Sequence, residues 1–217
     1  MTFSAQVKQE LCKQPLSRRC CAQAEAYGIL LYCNTFQPRQ VRIITESPQL
    51  KQRLPLLFRK AFRVEFDVIP TGEGKGSFLI EDPEKLHILF DTFGLERDSA
   101  VSVHINFAHL EEEHCQTAFF RGAFLAGGSV TDPGKSYHLE LATSHGAVGR
   151  ESIALLQELG FTPKDTQRKG NHVTYFKQSD HIEDFLTTVG APVSAMEIMT
   201  AKLERDLRGS VNRRVNC

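Results

Sequence analysis

The 217-residue chain has no tryptophan, three methionines and four tyrosines, so its aromatic content rests almost wholly on fifteen phenylalanines. Its formal net charge is +0 at pH 7, with 26 Lys/Arg against 26 Asp/Glu, which excludes a chain basic throughout, as many nucleic-acid binders are. No apolar run approaches the ~20 residues needed to span a bilayer. The opening Met1-Thr2-Phe3-Ser4-Ala5-Gln6 lacks the charged-then-apolar order of a secretory leader. Cysteine is present but unpatterned: Cys12, Cys20, Cys21, Cys33, Cys115 and Cys217 form no C-x-x-C pair. The expectation is a set of reduced thiols in a cytoplasmic protein with no membrane attachment, rather than a disulfide framework.

Charge is distributed less evenly than its sum suggests. Residues 1–60 carry ten Lys/Arg and three Asp/Glu, whereas residues 61–115 carry four and twelve. A basic first quarter beside an acidic second quarter polarises the molecule.

The richest stretch is Phe119-Phe120-Arg121-Gly122-Ala123-Phe124-Leu125-Ala126-Gly127-Gly128-Ser129-Val130. Glycine inside a helix costs about 1 kcal/mol relative to alanine, a cost tolerated where two backbones must approach closely. Small residues four apart, Gly122/Ala126 and Ala123/Gly127, bare one face. About ninety residues earlier Ala24-Glu25-Ala26-Tyr27-Gly28-Ile29-Leu30-Leu31-Tyr32-Cys33 does the same, which predicts a seam built on Ala24, Gly28, Gly122 and Ala126.

The order of elements after each glycine also repeats. After Gly28 the pattern predicts a strand at 40–45, a helix at 48–62, a strand at 63–69, a turn at Thr71–Gly76, a strand at 77–80 and a helix at 83–93, closed by Gly94. After Gly122 it predicts strand 137–143, helix 148–159, strand 163–168, a turn at Lys169-Gly170-Asn171, strand 172–177 and helix 179–189, closed by Gly190. Each copy reads α-β-α-β-β-α, an α+β fold. An amphipathic leader (Phe3, Val7, Leu11) completes the first unit, residues 1–107. Residues 108–115 read as a polar connector, 116–190 as the second repeat, and 191–217 as a final helix opened by a capping box at Ser194–Glu197.

Two repeats, each opened by a small-residue helix, resemble the LAGLIDADG homing-endonuclease architecture, in which antiparallel sheets form a saddle about a pseudo-twofold axis. With Arg19-Cys20-Cys21, Phe120–Val130, Tyr137-His138-Leu139-Glu140, Arg168-Lys169-Gly170-Asn171 and Val211–Cys217, the whole chain resembles the WhiA family of sporulation and cell-division transcription regulators of Gram-positive bacteria. The resemblance implies double-stranded DNA as partner, met mainly through a C-terminal helix-turn-helix module expected to begin where this chain stops. It further implies regulatory proteins as a second partner class and a nucleoid-associated location. An internal pseudo-dimer needs no second chain, so a monomer is expected.

In active LAGLIDADG enzymes the last acidic residue of each motif helix holds divalent metal. Aligned on that motif, the acidic positions fall on Cys33 and Gly127. Neither offers the hard oxygen that Mg²⁺ requires, so no catalytic residue, metal or cofactor is expected. Asp132 reads as a turn residue in Thr131-Asp132-Pro133-Gly134, and Asn34-Thr35-Phe36-Gln37 offers no acid in the first copy. His104, His109 and His114 with Glu111–Glu113 and Cys115 fit no zinc-binding spacing, and adjacent Cys20 and Cys21 read as buried thiols. Thr71–Gly76 lacks the G-K-[ST] ending of a phosphate loop. Arg42, Lys164, Arg168, Lys169, Lys177, Arg213 and Arg214 are the candidate phosphate contacts, with Glu65 and Asp67 as opposing charges. A solvated surface with a purely protein-binding role, and a residual nuclease, are the competing readings.

Overall fold

The computed structural model describes residues 1–97 and 102–215, with side chains to Val211. Helix α1 (Phe3–Leu11) starts at Thr2, whose hydroxyl accepts from the Ala5 N–H, and buries Phe3, Val7 and Leu11. The first repeat then runs α2 (Arg19–Tyr32), β1 (Thr35–Gln37), β2 (Gln40–Thr45), α3 (Pro48–Phe62), β3 (Gly76–Ile80) and α4 (Pro83–Thr92). The second runs α5 (Glu113–Gly127), β4 (Gly128–Val130), β5 (Leu139–Thr143), α6 (Gly146–Glu158), β6 (Lys164–Arg168), β7 (Asn171–Phe176) and α7 (Ser179–Val189). The closing helix is α8 (Pro192–Val215).

Each repeat owns one antiparallel sheet, ordered β1-β2-β3 and β4-β5-β7-β6. One core joins both, from Phe36, Phe58 and Phe78 of the first repeat through α2 and α5 to Phe176 and Phe185 of the second. Tyr27 stacks on Phe93 with ring centroids 3.9 Å apart and planes within 5° of parallel. Among the described residues no helix is long and apolar enough to cross a membrane.

Four details depart from expectation. The segment 63–69 is not a strand. Arg63 caps α3 in the left-handed region at φ 59°, and only Val68 forms a bridge, to Leu79. The first sheet therefore lacks the edge strand that β6 supplies to the second. Strands β1 and β4 have three residues each; β4 follows α5 without a break, and β1 follows α2 after Cys33 and Asn34. The capping box at Ser194 lies inside α8, which begins two residues earlier at Pro192. The Ser194 hydroxyl donates to Glu10 Oε2 at 2.6 Å instead, while the Val193 and Ser194 N–H groups also donate to the Glu10 carboxylate. Helix α5 begins at Glu113, inside the segment read as connector, and Leu110 and Cys115 are buried there.

Candidate functional site

The seam between α2 and α5 is built on reciprocal contacts. A Cβ added at Gly28 would lie 2.0 Å from the Phe119 carbonyl oxygen, and one at Gly122 would lie 1.9 Å from the Glu25 carbonyl oxygen. Phe119 stands three residues before Gly122 and Glu25 three before Gly28, so the two contacts are related by the internal twofold. Ala24 is buried and Ala126 half-buried, as the small-residue spacing requires.

At the C-terminal end of this seam stand Cys33 and Gly127, which the LAGLIDADG resemblance sets at the acidic positions of the motif. Cys33 is a half-buried thiol that donates toward Leu30 O at 3.2 Å and Thr35 O at 3.3 Å. Burial pushes its pKa up to about 12. At Gly127 a Cβ would meet Ala142 O at 2.4 Å and Tyr32 O at 2.9 Å, so backbone occupies the place a carboxylate would need. These residues do not fit a divalent hard cation, which takes oxygen ligands. Gly127→Asp is expected to destabilise the chain by about 3 kcal/mol through overpacking, read from the urea unfolding midpoint. An unchanged midpoint would mean that the helix end opens freely.

Midway along the seam lies a charge that small-residue spacing does not reveal. Glu25 is 1% exposed and receives Arg53 bidentately, Nε to Oε1 at 2.6 Å and Nη2 to Oε2 at 2.9 Å. Arg121 adds a third contact, Nη1 to Oε2 at 3.3 Å, while its Nε donates to Val189 O at 2.7 Å. The available signal was a carboxylate inside an otherwise apolar helix, since buried charges are paired.

The proposed phosphate contacts are dispersed. Arg42 is exposed on β2, and Lys164, Arg168 and Lys169 are exposed on the β6–β7 hairpin. Lys169 takes φ 51° at the hairpin tip. Ser129, Glu140, Tyr175 and Lys164 form one cross-strand row. Arg168 pairs with Glu140, and His138 approaches the same carboxylate at 3.0 Å. Burial alone would raise the Glu140 pKa, but hydrogen bonds from Arg168 and His138 hold it below the ordinary range. Lys177 sits 5.3 Å from the centre of the Tyr175 ring, within cation–π range. Arg213 and Arg214 fall on α8, with side chains outside the described residues.

The opposing acids are already engaged. Glu65 pairs with Arg59 at 2.9 Å, and Asp67 with Lys85 at 2.5 Å. Asp67 also accepts from the Glu81 and Asp82 N–H groups. Thr71–Gly76 turns carbonyls outward: Lys51 Nζ donates to Gly72 O at 3.2 Å and Gly74 O at 2.6 Å, the opposite polarity to a phosphate cradle. Asp132 is a turn residue, its carboxylate accepting from the Gly134 N–H at 2.8 Å.

The histidines His104, His109 and His114 separate. His104 pairs with Glu151 at 2.6 Å, and His109 packs edge-on to Phe93. His114 instead turns toward the start of α2, where its ring meets Cys20, Cys21 and Cys115. Cys20 is exposed and Cys21 half-buried, not the buried pair expected, because the first turn of α2 projects beyond the core. Sequence spacing joined His114 and Cys115 to the wrong neighbours and left Cys20 and Cys21 apart from them.

A family profile described as the WhiA LAGLIDADG-like domain matches residues 116–208. The chain is 34% identical to a probable cell division protein WhiA of Ruminiclostridium cellulolyticum, over all of this chain and 72% of that protein. It is 33% identical to the same-named protein of Alkaliphilus oremlandii, over all of this chain and 73% of that one. Among solved structures, full-length WhiA from Thermatoga maritima superposes with a TM-score of 0.74 at 23% identity, covering all of this chain and 71% of that one. The homing endonuclease I-DmoI, solved in complex with DNA and Mn, has the same fold at a TM-score of 0.57 and 15% identity, over 79% of this chain and 97% of that one. With its paired glycine seam, its two antiparallel sheets and these relatives, the chain belongs to the WhiA family and carries that family's LAGLIDADG-like fold.

Proposed function

We propose that this chain is a non-catalytic scaffold within a DNA-associated regulator of cell division, adding a weak phosphate-binding surface to a DNA-reading module. The observation that carries this reading is the closed C-terminal end of the seam. Backbone fills the space beside Gly127, and Cys33 is a half-buried thiol, so the fold keeps its packing without the carboxylates that cleavage needs. The exposed cations Arg42, Lys164 and Lys169 give the surface a few phosphate contacts, which add affinity without sequence preference.

Titration against promoter and random DNA at two salt concentrations tests this. Both DNAs are expected to bind weakly and equally, with log K falling by about 0.9 per log salt for each phosphate engaged. Tight, sequence-selective binding by this chain alone would overturn the scaffold reading, and EDTA-sensitive nicking of a plasmid would overturn the non-catalytic one.

A second reading, a protein-interaction module without DNA contact, draws on α8. Met196, Met199, Leu203, Leu207 and Val211 are all at least half exposed, at the three- and four-residue spacing of one helix face. Arg205 and Lys202 meanwhile hold the helix to the second repeat, Arg205 through Pro133 O at 2.9 Å and the Tyr137 ring, Lys202 through Asp180. This reading expects no mobility shift even at low salt.

A further inference from the structure

Cys20 and Cys21 open α2, and His114 and Cys115 open α5. Counted back from the packing glycines, Cys20 and His114 are each eight residues before Gly28 and Gly122, and Cys21 and Cys115 each seven. The internal twofold therefore brings two pairs of soft ligands to one point, at the N-terminal end of the seam. The motif positions of an active enzyme lie at its opposite end.

The four donors stand close enough to share one ion. All four donor atoms lie within 4.8 Å of one another. His114 Nδ1 stands 3.3 Å from Cys21 Sγ and 3.3 Å from Cys115 Sγ. Zinc with Zn–S of about 2.3 Å and Zn–N of about 2.0 Å has tetrahedral ligand–ligand edges of about 3.5–3.8 Å, so closing the cage asks for movements of about an ångström. Adjacent cysteines can both contribute because successive side chains at a helix start diverge by only about 100° and the other two ligands arrive from the facing helix. A cleft of about 210 Å³ reaches Cys20 and Cys115 beside Glu111 and Glu112, giving a cation an acidic approach.

We propose that Cys20, Cys21, His114 and Cys115 form a structural Zn²⁺ site that clamps the N-terminal ends of the two motif helices together. Three sulfurs and one imidazole nitrogen within reach of one ion match Zn²⁺ in preference to Mg²⁺ or Ca²⁺. Four protein ligands leave no open position for substrate, so the ion holds the fold and does no chemistry. Binding deprotonates the three thiols and releases their protons to solvent.

The test uses the full chain, purified under reducing conditions without chelator. Elemental analysis is expected to find one zinc per chain, and replacement by Co²⁺ to give a thiolate-to-cobalt charge-transfer band and tetrahedral visible bands. Cys20→Ser, at an exposed position, is expected to keep the circular dichroism spectrum of the parent while weakening zinc retention at least tenfold against a competing chelator. Cys115→Ser should abolish the cobalt bands, whereas Cys12→Ser, away from the cluster, should leave stoichiometry and bands unchanged. Substoichiometric zinc in the reduced protein with no cobalt charge-transfer band would overturn the proposal. So would a disulfide among these cysteines in freshly purified protein whose reduced form binds no metal.

Discussion

Glu25→Ala is expected to cost about 3–5 kcal/mol of folding stability, because it removes the carboxylate from between one buried and one half-buried guanidinium group. Arg53 is 5% exposed and Arg121 13%. Arg53 also donates through Nη1 to Cys12 O at 3.1 Å and Gln14 O at 2.7 Å, so it cannot swing out to water without abandoning those carbonyls as well. Three elements, α2, α3 and the turn after α1, are thereby tied through one guanidinium, and Arg121 extends the network to α5 and Val189 O. Glu25→Gln keeps the shape and part of the hydrogen bonding but not the charge, so an intermediate loss is expected. The double variant Glu25→Leu/Arg53→Met should recover much of the loss, since replacing both members of a buried pair by apolar groups is often close to neutral. Urea unfolding of the parent, Glu25→Leu, Arg53→Met and the double variant closes a cycle in which the coupling energy is read directly. A Glu25→Ala loss below about 1 kcal/mol would show that water reaches the pair.

Gly28→Ala and Gly122→Ala should each destabilise by about 3 kcal/mol, even though alanine improves helix propensity by about 1 kcal/mol. The atom met by the new methyl is a backbone carbonyl of the facing helix, at 2.0 Å and 1.9 Å respectively. A side chain could rotate aside, but a carbonyl moves only with its helix. Because the two contacts are equivalent under the internal twofold, similar losses are expected for the two variants. Their combination should lose less than the sum, since one separation of the helices relieves both clashes. Thermal unfolding monitored by far-ultraviolet circular dichroism measures all three. Gain of stability in either single variant would contradict the close approach.

The elements legible in the sequence were those with strong local signals. Helix α3 matches expectation at both ends because Ser47 caps it and Pro48 begins it. Helix α7 matches because Gly190 ends it at φ 108°. Strands β1 and β4 were not legible: three residues carry no period, and their pairing is decided by β2 and β5. The segment 63–69 alternates like a strand, yet the left-handed turn at Arg63 and a single bridge leave it irregular. Of the site, the glycine seam follows from small-residue spacing, and the places of Cys33 and Gly127 at its end follow from motif register. The Glu25–Arg53–Arg121 network and the convergence of Cys20, Cys21, His114 and Cys115 do not follow from spacing along the chain, because their partners come from other helices. For the thiols, superposing the two repeats is the signal that would have found them.

The seam also sets an order of events during synthesis. Gly28 and Gly122 are 94 positions apart, so at about 5–20 residues per second the second motif helix leaves the ribosome roughly 5–19 s after the first. Throughout that interval the bare face of α2 has no partner. Its one charge is not left alone: Arg53, 28 positions downstream of Glu25, emerges early and belongs to the same repeat. The nascent first half can thus neutralise its most hazardous group locally, leaving only an apolar groove for the second half to fill.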